Sequence, residues 1–198
     1  MNNKSKKGTF IIVGVLLVAV AGLSIAFAAL STTLNINFGT VTQTQQTWNV
    51  HFKSISNLAA TEQKTSSTGF SCGKASTSND LKTVTVTDTQ LSKPDDKCTW
   101  ALQIQNEGSI TAKLGTITAV KPSGKTCTTN GASMVCGNVT YKLTTDAAGS
   151  SVLTANSTIN AGSTLNVYLV AMYNDPNLND SAADTQSSAG FTLQYNQN

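Results

Sequence analysis

Four cysteines, a single histidine and two short clusters of carboxylates and amides are the residues of this 198-residue chain whose types and spacing invite chemistry. Cys72, Cys98, Cys127 and Cys136 form an even set with no short CxxC spacing. With one histidine in the chain, a zinc site of ordinary composition is hard to assemble, and HExxH is absent. Two disulfides are the expected use of these thiols. Three pairings are open, and the favoured one joins neighbours, Cys72–Cys98 and Cys127–Cys136.

His51 lies between Asn49 and Lys53 on the polar face of an alternating segment. No nucleophile elbow or comparable local signature accompanies it, so a solvent-facing strand histidine is expected and not a general base. Asp95 and Asp96 are adjacent, which points two side chains apart in a turn; both are expected to be solvated. Asp175, Asn177 and Asn179 place oxygen ligands at alternate positions, like the opening of a calcium loop. Asp180 stands where the sharp turn wants Gly, and Gln186 where a bidentate Glu belongs, so a polar turn is expected, with weak Ca²⁺ binding as the alternative. No catalytic residue and no cofactor are expected, and the chain is not expected to be an enzyme.

The elements that would position these residues read as strands. Thr47 to Lys53 alternates, with Trp48, Val50 and Phe52 on one face. Thr83 to Thr87 turns Val84 and Val86 inward. Cys98 to Asn106 turns Trp100, Leu102 and Ile104 inward, and Ala112 to Val120 follows across a Gly-containing turn. A small loop after Pro122-Ser123-Gly124 is the segment that Cys127–Cys136 would close. Asn138 to Thr144 places Val139, Tyr141 and Leu143 inward. Thr164 to Tyr173, the longest apolar run of the body, is expected to be a central strand. Phe191, Leu193 and Tyr195 share one side of the last strand. Residues 57–73 and 175–190 read as polar loops. Short strands separated by turn residues predict an all-β fold, an antiparallel β-sandwich or jelly roll, behind one N-terminal hydrophobic helix. Trp48 and Trp100 are both expected in its core.

Composition narrows the function classes. The net charge of +3 equals the contribution of Lys4, Lys6 and Lys7, so the rest of the chain is near neutral. There is no arginine, the usual bidentate group for phosphate, and nothing argues for nucleic acid. Phe10 to Leu30 is an uncharged apolar run of roughly bilayer-spanning length. With its cationic flank and Ala26-Phe27-Ala28 before Ala29, it predicts an export signal cut between Ala28 and Ala29. A retained membrane anchor through residues 10–30 is one alternative, and a prepilin-type helix another, though the latter lacks its usual Glu. The expected domains are 1–28, signal peptide or anchor, and 29–198, the β-sandwich. Directly after the cut, Leu34, Ile36 and Phe38 alternate with Thr33, Asn35 and Asn37. This is a strand with one apolar face, either the first of its own domain or a donor for a neighbouring subunit.

Two stretches resemble one family. The leader through Ala28-Ala29-Leu30-Ser31-Thr32-Thr33 is similar to the export signals of the TasA/camelysin group, which a dedicated signal peptidase processes. Leu91-Ser92-Lys93-Pro94-Asp95-Asp96-Lys97-Cys98, followed by a strand ending Asn106-Glu107-Gly108, resembles that family's L-x-P-G-D segment and N-x-G turn. Asp95 replaces the usual Gly, and the four cysteines are a departure. The resemblance implies a secreted jelly-roll matrix protein of Gram-positive bacteria that self-associates into biofilm-matrix or cell-surface fibres. In such fibres the N-terminal segment of one subunit completes the sheet of the next. A competing expectation from the leader is a membrane-anchored monomeric cell-envelope binding or adhesion module.

Overall fold

The computed structural model describes residues 46–64, 69–174, 186 and 189–197. The apolar leader, Ala28 and Ala29, Leu34, Ile36 and Phe38, and the calcium candidates Asp175, Asn177 and Asn179 all lie outside these residues. Among the described residues the protein is all-β with antiparallel sheets, and no helix is long and apolar enough to cross a membrane.

The largest sheet is built on β5 (Lys97–Asn106) and β11 (Thr164–Tyr173), two ten-residue strands paired from Gln105–Thr164 to Lys97–Met172. β9 (Val139–Thr144) flanks β11 on its other side, so Thr164–Tyr173 is central, as its continuous apolar character demands. The sheet continues through β8 (Ser133–Cys136) to β7 (Cys127–Asn130) at one edge. At the other edge, β1 (Val50–Phe52) and β2 (Thr61–Gln63) share the free side of β5, one at each end. A second sheet places β6 (Ala112–Val120) between β10 (Thr158–Ile159) and β12 (Gly190–Gln197). β3 (Ala75–Thr77) and β4 (Val84–Val86) form a separate hairpin.

The alternation in β5 does what its sequence predicts: Trp100, Leu102 and Ile104 are buried while Ala101 is exposed. They meet Val167 of β11, Leu143 of β9 and Leu114 of β6, so one core joins both larger sheets. Each such side chain contributes about 1.5–3 kcal/mol of apolar burial. The Trp100 indole N–H donates to Gly73 O (2.8 Å), which satisfies the one polar atom of the largest buried residue. Gly73 is an obligatory glycine, because a Cβ there would sit 2.1 Å from Thr87 O. A smaller cluster gathers Cys127, Met134 and Cys136 beneath Phe191.

Two segments differ from expectation. Residues 57–73 are not an uninterrupted loop: Leu58 bridges to Ala75, and Thr61–Gln63 adds to β5 as β2. The small loop after Pro122 contains a hairpin, β7 and β8, turning at Gly131 (φ 55°), a glycine where positive φ is needed. Cys127 and Cys136 face each other directly across it.

Trp48 is a correction. It is 40% exposed and outside the core, because the strand begins only at Val50. The backbone before it pairs with a turn: Ser109 N donates to Thr47 O (2.9 Å) and Glu107 N to Asn49 O (2.9 Å). Trp48 therefore lies before the paired strand and outside the core that strand covers.

Candidate functional site

Residues of β1 and β12 meet at one cleft on the side of the molecule where β1 joins β5. Val50, Phe52, Leu81, Ile104, Leu193 and Tyr195, with His51 and Lys82, line a cleft there of about 90 Å³. Its apolar character follows from the two strand patterns: Val50 and Phe52 share one face of β1, and Leu193 and Tyr195 one face of β12. All four are half-buried, packed on the core without being enclosed by it.

The two strand edges at this cleft differ. The outer edge of β1 is occupied: Phe52 N donates to Leu81 O (2.9 Å) and Lys82 Nζ to Val50 O (2.6 Å). The Ser78–Thr83 turn that supplies these groups is itself braced. Leu81 sits at φ 58°, and Asp80 accepts from Ser78 Oγ and from Lys82 N, bonds that hold its carboxyl below the usual range. β12 pairs with β6 on one side, and among the described residues no strand pairs with its other side. An extended strand edge of eight residues thus runs beside half-buried apolar side chains.

Tyr195 marks the inner wall. Its hydroxyl is buried without a hydrogen-bond partner among the described residues, and burial pushes its pKa up to about 12. An unpaired buried hydroxyl costs about 1–3 kcal/mol. A strand laid along β12 would cover the apolar side chains and bring polar main-chain groups near.

His51 is not the solvent-facing residue that its alternation suggests. Its side chain is only 9% exposed; Nε2 lies 3.2 Å from Glu107 Oε2, and Nδ1 2.9 Å from Phe52 O. Asn49 Nδ2 also donates to Glu107 Oε2 (3.3 Å), so the histidine belongs to a structural brace between β1 and the β5–β6 turn. That turn is centred on Asn106, fully buried, whose Nδ2 donates to Ile110 O and Ile159 O while Oδ1 accepts from Gly108 N.

Asp96 is likewise a correction. Asp95 is exposed as expected, but Asp96 is completely buried and Oδ2 accepts from Ser92 N (2.9 Å), Ser92 Oγ (3.1 Å) and Lys93 N (2.8 Å). Asp96 N donates to Lys93 O, with Pro94 and Asp95 (φ 69°) between, the pattern of a turn that needs positive φ at its third residue. The carboxylate closes that turn. The Pro turn was visible in the sequence, but the fourfold spacing of Ser92 and Asp96 that seals it was the missed signal.

The cysteines pair neighbour with neighbour: Cys72–Cys98 at 1.93 Å and Cys127–Cys136 at 2.03 Å between sulfurs. Two disulfides suit an oxidising environment. Among the described residues, no group of three or more His, Cys, Asp or Glu side chains could hold a metal ion. In comparisons with protein-family models, curated proteins and solved structures, nothing matches this chain.

Proposed function

We propose that this chain is a secreted structural protein, a β-sandwich subunit of a cell-surface or biofilm-matrix fibre, related to the TasA/camelysin group and without enzymatic activity. The subunits join by donor-strand addition. The observation that carries the proposal is the edge of β12 that no described strand pairs with, beside the half-buried Val50, Phe52, Leu193 and Tyr195. The matching ligand is an extended segment with apolar residues at every second position. Leu34, Ile36 and Phe38 have that spacing in a stretch that a cut after Ala28 would place near a new N-terminus.

Strand addition suits the energetics. Burying three such side chains contributes about 5–9 kcal/mol before the costs of association, which consume much of it. Main-chain bonds along β12 add to affinity and set direction, while the apolar slots set register. The near-neutral body offers little electrostatic opposition to self-association.

The test is assembly by the full chain after processing, followed by sedimentation and negative-stain electron microscopy. Filaments are expected, and the double substitution Ile36→Asp/Phe38→Asp should abolish them while circular dichroism still reports a folded β protein. Filaments that persist in the double variant would remove the donor role. A wild-type chain that stays monomeric would favour the anchored envelope-binding module.

A further inference from the structure

The opposite side of the large sheet carries a different kind of opening. β1 leaves β5 at Lys53, whose N–H donates to Gln103 O (2.8 Å), and β2 rejoins it at Thr61 opposite Thr99. Between them the chain is drawn off to the β3–β4 hairpin. Thr77 N donates to Ile55 O, Ile55 N to Thr77 Oγ1, and Leu58 exchanges bonds with Ala75. One outward-facing residue of β5, Ala101, is left with no strand partner on this edge among the described residues. Main-chain groups in an antiparallel ladder face the same side at every second residue, so Ala101 N–H and C=O point to the gap as those of Gln103 do.

The gap opens into a shallow depression of about 430 Å³ lined by Lys53, Ser54, Ile55, Ala101, Gln103, Asn166 and Tyr168, with Leu102 beneath. Across its floor, Gln103 Nε2 donates to Asn166 Oδ1 (2.8 Å). That bond leaves Gln103 Oε1 as an acceptor and Asn166 Nδ2 as a donor. Tyr168 stands directly opposite Ala101 in the β5–β11 register, and its ring, half-buried, lines the depression beside the small alanine. Among the described residues no carboxylate lines the depression, and Lys53 is its one charged side chain.

We propose that this depression binds a neutral saccharide unit of a polysaccharide strand. A sugar ring presents hydroxyls that both donate and accept, together with an apolar C–H face. The depression presents a main-chain donor and acceptor, a primary-amide donor and acceptor, and a half-buried aromatic ring, which is the complementary set. Other ligand classes fit poorly. A peptide strand needs several successive ladder positions, and β1 and β2 limit this one to a single residue. A cation has no carboxylate to hold it, a polyanion has one lysine, and a lipid tail would desolvate two amides without replacing their hydrogen bonds. The site lies on the β5–β11 face, apart from the β12 cleft, so a fibre could carry it on every subunit.

The experiment is saturation-transfer difference NMR on the full-length chain in a detergent without a sugar headgroup, with chitotetraose and cellotetraose as probes. Transfer to the ring C–H protons is expected, with a Kd on the order of 1 mM for at least one of the two. Asn166→Ala, at an exposed position, and Tyr168→Ala should each weaken binding about tenfold, while Val135→Thr, in β8, should leave it unchanged. Absence of transfer from both sugars to a folded chain overturns the proposal. So does transfer that survives undiminished in Asn166→Ala. Filament formation is scored separately, so loss of sugar binding and failure to polymerise are distinguishable.

Discussion

Raising the pH should destabilise the fold through Tyr195, and the size of that loss tests how closed the β12 cleft is. The phenol ordinarily titrates near 10, and burial lifts it to about 12. Because the folded pKa lies above the unfolded one, the contribution is fully present below pH 10 and is lost as the pH rises through about 12. A gap of that size has a ceiling of about 2.7 kcal/mol, at about 1.36 kcal/mol per tenfold. Tyr195 is only partly enclosed, so solvent screening reduces the expected loss to about 1–2 kcal/mol. The assay is urea unfolding at pH 8 and pH 11.5, followed by tryptophan fluorescence, on wild type and Tyr195→Phe. Lysine titration is common to both, and no free cysteine is present to start disulfide exchange. The difference between the two proteins should widen by about 1–2 kcal/mol in favour of the phenylalanine form at the higher pH. At pH 8 the variant should already match or exceed wild type, since the deleted hydroxyl has no partner among the described residues. An identical alkaline loss in both proteins would refute the reasoning and show that Tyr195 is in free contact with water.

The two disulfides should differ in worth. Closing 26 residues (Cys72–Cys98) against 9 (Cys127–Cys136) corresponds to about 3.5 and about 2.6 kcal/mol in the chain-entropy model. Paired Cys→Ala variants, unfolded in urea, should show that order; equal losses would mean that packing and not loop closure dominates. Asp95→Gly should stabilise the chain by about 0.5–1 kcal/mol, because Asp95 is exposed and occupies φ 69°, a conformation that favours glycine. An unchanged or lower urea midpoint would remove the strained-turn reading.

The long strands were legible because several alternating apolar residues fix both the element and its face. Ala112–Val120 and Thr164–Tyr173 match their sequence bounds, and Trp100, Leu102 and Ile104 face the core as predicted. Short polar strands carry no such signal. Thr61-Glu62-Gln63 and Cys127-Thr128-Thr129-Asn130 become strands because a neighbour's edge is available, a tertiary cause that local pattern does not encode. Trp48 failed for a related reason: period two assigns a face but not the residue where pairing begins. His51 and Asp96 were misjudged because polarity predicts exposure only when no partner is supplied. Here Glu107 sits against one and the Ser92–Lys93 turn wraps the other. The β12 cleft was half legible, in the shared side of Phe191, Leu193 and Tyr195. That β12 would pair with β6 on a single edge was not.

The pairing of β12 with β6 also sets a timetable. Thr116 reaches Gln194 across 78 residues of chain, and Gln103 reaches Asn166 across 63. Folds dominated by such distant contacts assemble slowly, on the order of milliseconds to seconds, since long loops must close before any contact rewards them. β12 also follows every other described strand in the order of synthesis. The second sheet therefore remains a fragment until residue 197 has been synthesised, so its β12 edge is completed after every other described strand. If the chain assembles through that edge, as proposed, the surface that recruits a neighbour is the last one folding completes, and the rest of the core is already in place to receive it.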